Sequence, residues 1–228
     1  MAHDPRYDGP PLVELRLPPD DPSIPMVRQR DRFAAVLAEL SAEEWAAPSR
    51  CDGWSVQDVV AHLAGVNGFW ALSVQAGRRG KPTRYLTTFD PVDTPAQMVE
   101  AARGVAPAET LASFVASNAA LADAFAGVSG SDWSEVLAEG PPGHISLRCI
   151  ALHALWDSWI HERDIAIPLG LPLTEDAEEM ELILRYAVGL SPSFHASIGA
   201  DKTGVLAVEA TEPDLSLLVR AGLSLIHI

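Results

Sequence analysis

Apolar residues recur at intervals of three and four through most of this chain, the period of a helix that buries one face. In SIPMVRQRDRFAAVLAEL, Met26, Phe33, Val36, Leu37 and Leu40 share a side with charged residues between them, which predicts a helix over 23–40. A short helical turn, SAEEW, and a loop, PSRCDG, follow. Ser55 with Asp58 three residues later forms a capping box that opens a second helix over about 55–75. Its buried stripe is Val56, Val59, Val60, Leu63 and Val66, and AGRRGKP ends it, leaving 78–93 as a loop. Thr94 and Pro95 start a helix over 94–103, Gly104 interrupts, and an Ala-rich helix runs from Pro107 to Ala126. GPPG at 140–143 resets the chain direction. A long helix from near Ile145 closes at Pro168 and Gly170, and Thr174 is expected to cap a last helix through Leu190 with acidic residues in its first turn.

The texture differs at the two ends. Residues 1–22 carry Pro and Asp without periodicity and read as a flexible or extended arm held by few contacts. Past Leu190, SPSF and GADKTG read as turns, while VLAVEA and LSLLV read as two short strands joined by TEPD. Two strands alone are marginal in water, so 191–228 is expected to be the start of a small α/β domain left incomplete. The expected architecture is therefore mainly α: an arm over 1–22, a helix bundle over 23–190 and a short α/β appendage over 191–228.

Composition narrows the function classes. The chain has 228 residues, 48% hydrophobic and 21% charged, which excludes wholesale disorder and suits one large domain with at most a small appendage. Sixteen Lys and Arg against 31 Asp and Glu give a net charge of −15, which repels phosphate backbones and anionic lipid. Neither a nucleic-acid nor a membrane partner is expected. The longest uncharged stretch, from Val59 to Gly77, is interrupted by His62, Asn67, Ser73 and Gln75 and reads as a buried helix rather than a membrane span. Two cysteines, Cys51 and Cys149, and an amino terminus without signal-peptide character point to a reducing, cytoplasmic setting.

The chemistry concentrates in CIALHALWDSWIHERD, where Cys149, His153, Asp157 and His161 stand four residues apart and Asp164 lies three further on. Each four-residue step advances only about 40° around a helix, so these groups form one ridge. A carboxylate and an imidazole one turn apart can reach the same divalent cation, which singles out Asp157 and His161. His62, bordering the apolar stripe of the second helix, is the best third ligand, and three protein ligands leave a coordination position open. The competing reading is an ordinary ion pair on a helix face beside a hydrogen-bonded core histidine. Cys51 and Cys149 read as small buried residues rather than ligands, and His144 and His195 fall in predicted loops. The sequence holds no Gly-rich phosphate loop, no G-x-S-x-G elbow and no H-E-x-x-H run.

Taken in order, RCDGWSVQDVVAHLAG and LWDSWIHERDIAIPLG resemble the mycothiol-dependent maleylpyruvate isomerase family, a branch of the DinB-like four-helix-bundle metalloproteins, over roughly residues 25–190. The resemblance implies a divalent metal, typically zinc, held by His62, Asp157 and His161, with Asp157 standing where the family often has Glu. It also implies a small thiol such as mycothiol as cosubstrate, a small-molecule substrate, and isomerase or S-transferase chemistry by a metal-activated thiolate. The family often carries a carboxyl-terminal α/β domain, which matches the texture after Gly204. His153 and Asp164 are assigned supporting roles, orienting a ligand imidazole or moving a proton. A non-catalytic metal-binding bundle and a metal-assisted hydrolase would use the same three ligands. Arg78, Arg79 and Arg84, in the loop after the second helix, are the arginines that could meet a substrate carboxylate.

Overall fold

The computed structural model describes residues 2–15, 21–197, 204–211, 214–221 and 226–227. In chain order the elements are β1 (Val13–Glu14), α1 (Ser23–Ala38), α2 (Ala42–Ala46), α3 (Val56–Arg78), α4 (Asp93–Ala101), α5 (Pro107–Phe125) and α6 (Asp132–Glu135). They continue as β2 (Leu137–Gly140), β3 (Gly143–Ser146), α7 (Leu147–Leu169), α8 (Ala177–Ser197), β4 (Gly204–Thr211), β5 (Asp214–Ala221) and β6 (Ile226–His227). The body is a bundle of α1, α3, α5 and α7, and α8 packs against α7 and α1.

Two apolar clusters show how the bundle is wired. One joins Met26, Trp70, Val74, Leu121, Phe125 and the first half of α7; the other joins Phe33, Leu37, Val59, Leu63, Phe114 and Ile165. Helices α1 and α7 therefore run from the first cluster to the second, and α3 and α5 run the opposite way. The 28 residues between Arg78 and Pro107, with α4 among them, supply the long crossover that a parallel α3–α5 pair requires. Between the clusters lies a buried polar layer. Arg30 donates to the Asn67 Oδ1 at 3.1 Å and to the Ala154 carbonyl at 2.6 Å, and Asn67 donates to Asn118 Oδ1 at 2.8 Å. The most apolar window of α3 has the length and composition of a membrane span, and 61% of it is buried inside the fold, as a core helix requires.

Local chemistry explains most boundaries. Ser55 and Asp58 close the expected capping box at α3, and Gly170 ends α7 with φ +65°, one residue past the helix. Three features depart from the sequence expectations. GPPG is the turn of an antiparallel hairpin, β2–β3, with Gly140 paired to Gly143, so α7 starts at Leu147 and His144 lies on a strand. Asp176, not Thr174, caps α8: its side chain accepts from Glu179 N at 3.1 Å, while the Thr174 carbonyl is taken by Arg163. The backbone of α8 also continues through SPSF to Ser197, which puts His195 in a helix; its packing against α7, β1, β5 and β6 outweighs the local stop signal of Pro192.

The amino-terminal segment is docked rather than loosely held. Leu12, Val13 and Leu15 are buried, His3 exchanges backbone hydrogen bonds with Phe89, and Arg6 N donates to Pro142 O while Arg6 O accepts from His144 N. Gly143 makes this crossing possible, because its φ is +113° and a Cβ there would stand 1.9 Å from the Arg6 carbonyl oxygen. β1 pairs in parallel with β6, giving one sheet in the order β1-β6-β5-β4, so the two ends of the chain share a sheet. That pairing supplies the neighbours that two isolated strands lack.

Candidate metal centre and its cavity

Helix α3 leaves the second cluster just as α7 approaches it, so the seventh residue of α3, His62, faces the second half of α7. His62 Nε2 lies 3.6 Å from Asp157 Oδ2, and His161 Nε2 lies 3.7 Å from Asp157 Oδ1. The two imidazoles meet edge to face with centroids 5.1 Å apart, and one ligand atom from each of the three residues lies within 4.8 Å of the others. The three residues singled out in the sequence, Asp157 and His161 by spacing and His62 by its place on the apolar stripe, are thus brought together, and the shorter Asp side chain still sets an oxygen toward each imidazole.

The surroundings orient these groups. The other nitrogen of His161, Nδ1, is 3.0 Å from Asp164 Oδ2, which also accepts from the Cys51 thiol at 3.4 Å. Burial opposes a charge on His161, but the hydrogen bonds to Asp164 and Cys51 and the Asp157 carboxylate outweigh it and raise the imidazole to about 10. Burial alone would likewise raise Asp157; the imidazoles of His62, His161 and His153 instead hold it well below the usual carboxylate range. Asp157 Oδ2 and His62 Nδ1 are enclosed with no hydrogen-bond partner. An unpartnered buried polar atom costs roughly 1–3 kcal/mol, and two imidazoles with one carboxylate are a donor set that suits zinc-like divalent cations. The residues fit a metal.

These three residues form part of the wall of a cavity of about 690 Å³. Aromatic and aliphatic side chains dominate the rest of it, with Phe69 and Trp70 from α3, Trp156 from α7, and Leu86, Phe89 and Met98 from the crossover. His153 also lines it, but its Nδ1 is 2.7 Å from Tyr186 Oη, and its ring packs against Trp70, Trp156 and Tyr186 rather than against a ligand imidazole. Burial presses His153 down to about 4, against the opposing pull of Asp157.

Arg78 and Arg84 are directed elsewhere, to the Ala124 carbonyl and to Asp8, and neither they nor Arg79 line the cavity; Arg50 does. Glu139 escaped sequence reasoning, and Cys51, read there as a small buried residue, is half-buried against His161 and Asp164. Cys51 arrives because Arg50 N donates to Asp164 O at 3.0 Å, a tie across more than a hundred residues that no spacing rule registers. The carboxylate of Glu139 accepts from Tyr7 Oη and from the backbone N–H groups of Tyr85 and Leu86, anchoring the loop that covers the cavity.

Residues 26–166 match the family described as the mycothiol maleylpyruvate isomerase N-terminal domain. The chain belongs to that family. Its fold resembles crystal structures of the mycothiol-dependent maleylpyruvate isomerase and of a histidine-to-alanine variant of that enzyme. The TM-scores are 0.62 for the enzyme and 0.63 for the variant, with 18% and 17% identity, over 86% of this chain and 77% of each of those. Two Mycobacterium tuberculosis proteins, the uncharacterized proteins MT0763 and Rv0738, are each 38% identical over 56 residues. That stretch is 23% of this chain and 31% of each relative, so the chain spans about a third of the length of the curated relatives it matches. For this member of the isomerase N-terminal domain family, α3 and α7 are the helices that bring the candidate ligands together.

Proposed function

We propose that this chain is a metal-dependent isomerase or S-transferase that uses a small thiol of the mycothiol type, with His62, Asp157 and His161 as metal ligands. The observation that carries the reading is the convergence of these three residues, with an orphaned Asp157 oxygen, on the wall of an apolar cavity large enough for a small molecule. Bound there, zinc or a similar divalent metal would lower the pKa of a thiol and supply a thiolate at neutral pH.

The chain's own residues prepare that chemistry. Asp164 accepts from His161 Nδ1 and so leaves Nε2 as the nitrogen turned toward Asp157. Glu139 holds the loop at Leu86 over the cavity, and the aromatic lining keeps water from the reacting thiol. A thiolate added to a conjugated double bond turns it into a single bond about which the substrate rotates; elimination of the thiolate then gives the isomer, while uptake of a proton from solvent at the adjacent carbon and release of the adduct gives transfer. A count of only two cysteines fits a reducing, cytoplasmic setting.

The test is metal content per chain of protein purified without chelators, run beside His161→Ala. About one equivalent in the parent and little in the variant, with activity that requires added thiol, is the expected result. Absence of metal from both, with no gain in thermal stability on adding zinc, would overturn the reading. Turnover without a thiol would indicate a metal-assisted hydrolase, and metal binding without turnover a sequestering or sensing bundle.

A further inference from the structure

Residues 3–8 precede the stretch 26–166 that matches the family, and nothing in the proposed reaction uses them. They are nevertheless built into the covering of the cavity. Leu86 and Phe89, on the loop between α3 and α4, line its wall. His3 N donates to Phe89 O and Phe89 N to His3 O, both at 2.9 Å, an antiparallel bridge of two bonds. The Tyr7 hydroxyl lies between the Leu86 carbonyl and the Glu139 carboxylate and shares its one proton with them. Burial and the Glu139 carboxylate push that phenol well above its ordinary range, so it remains a donor at neutral pH. Arg84 stands over the Tyr7 ring and donates to Asp8 at 2.8 Å.

The same few residues are tied to the β2–β3 hairpin. His3 Nε2 is 3.0 Å from Pro141 O, and the two backbone groups of Arg6 are taken by Pro142 and His144. The segment therefore bridges hairpin and loop. The hairpin supplies the fixed side: Glu139 is fully buried, Ser73 of α3 holds its backbone through both groups, and its carboxylate takes the amides of Tyr85 and Leu86. The loop is the loose side. Residues 81–88 form neither helix nor strand, Tyr85, Thr87 and Thr88 are exposed, and hydrogen bonds fasten it where apolar packing fastens α3 and α7. Covering held in this way opens at a small fraction of the cost of unfolding the core.

We propose that the amino-terminal segment from His3 to Asp8 is a latch: engaged on Leu86 and Phe89 it keeps the loop closed over the cavity, and its release lets the loop lift and small molecules pass. The inference rests on reading the cavity as the site that small molecules enter. The latch grips the loop from outside the cavity, so it holds an empty and an occupied cavity alike. It slows entry and exit by one common factor and leaves affinity nearly unchanged.

Hydrogen exchange of the metal-free chain reads the latch without metal, thiol or substrate. The informative amides are those of Tyr85 and Leu86, which donate to Glu139 and lose no partner when the segment is removed. Deleting residues 2–8 should speed their exchange by about tenfold or more, and Tyr7→Phe, which removes one hydroxyl, by roughly two- to tenfold. Amides of α7 and of the β2–β3 hairpin should keep their rates. Protection of Tyr85 and Leu86 that survives the deletion would overturn the latch, and so would an equal loss of protection in the hairpin and α7, which would make the segment a general stabiliser. In stopped flow, entry and exit of the neutral dye N-phenyl-1-naphthylamine, followed by energy transfer from the cavity tryptophans, should quicken together by about tenfold in the deleted chain, with Kd within about threefold of the parent. A changed Kd with an unchanged exit rate would place the segment in the binding wall instead of at its gate, and would overturn the proposal. A parent that holds no metal while both results stand would overturn the thiol-enzyme reading alone.

Discussion

In the proposed metal site, metal and proton compete for one nitrogen of His161. In the metal-free protein that imidazole is held up to about 10, so at neutral pH it carries both protons, one shared with Asp164 and one turned toward Asp157. Coordination must displace the second, and zinc affinity should therefore rise with pH, by up to about tenfold per unit between pH 6 and 8, as read by competition with a chromophoric chelator. Asp164→Asn removes the strongest of the interactions that raise His161. Its imidazole should then titrate nearer the ordinary histidine value in an NMR titration of metal-free protein, and a titration unchanged by the substitution would show that Asp164 does not set it. Cys51 shares Asp164 with His161 but lies on the side of the ring away from Asp157. Cys51→Ser should accordingly retain the metal stoichiometry of the parent.

At the scale of elements, the site depends on how two helices begin and on what holds them together. The box at the start of α3 pairs Ser55 Oγ with Asp58 N at 3.2 Å and Asp58 Oδ2 with Ser55 N at 2.9 Å, two turns before His62. Ser55→Ala should cost about 1 kcal/mol in urea unfolding. The β2–β3 hairpin fixes where α7 starts and is locked by the amino-terminal segment crossing Gly143. An alanine there would meet the Arg6 backbone and a φ that L-residues avoid. Gly143→Ala should cost more than about 2 kcal/mol, well beyond Ser55→Ala in the same experiment.

For the molecule as a whole, the buried histidine of the cavity shapes stability toward acid. His153 drops from the ordinary 6.5 to about 4 in the folded protein because burial disfavours its charged form. Between those values the unfolded chain binds the extra proton, so stability rises with pH across the window, is complete above about 6.5, and is lost as pH falls through 4. The contribution is on the order of 3 kcal/mol for a group this deeply buried. Chemical denaturation of metal-free protein from pH 7 to 4 should show that decline, and His153→Gln should flatten it. A slope unchanged in that variant would assign the acid sensitivity elsewhere in this acidic chain.

Helical period, capping boxes and the glycine after Leu169 are local properties, set by residues within one or two turns of each other, and they made the long helices legible from the order of residues, while the starts of α7 and α8 came two residues later than the local signals placed them. The ridge of Asp157, His161 and Asp164 was legible for the same reason, since i, i+4 spacing has one geometric meaning on a helix. His62 entered through its place on an apolar stripe and the motif around it. The tertiary structure decided what sequence distance conceals: that Cys51 meets Asp164, that Glu139 anchors the loop over the cavity, that His153 turns to Tyr186 rather than to a ligand, and that the first strand pairs with the last. Each joins groups from 33 to more than two hundred residues apart. Such contacts follow from packing of complete faces, which no short window of sequence contains.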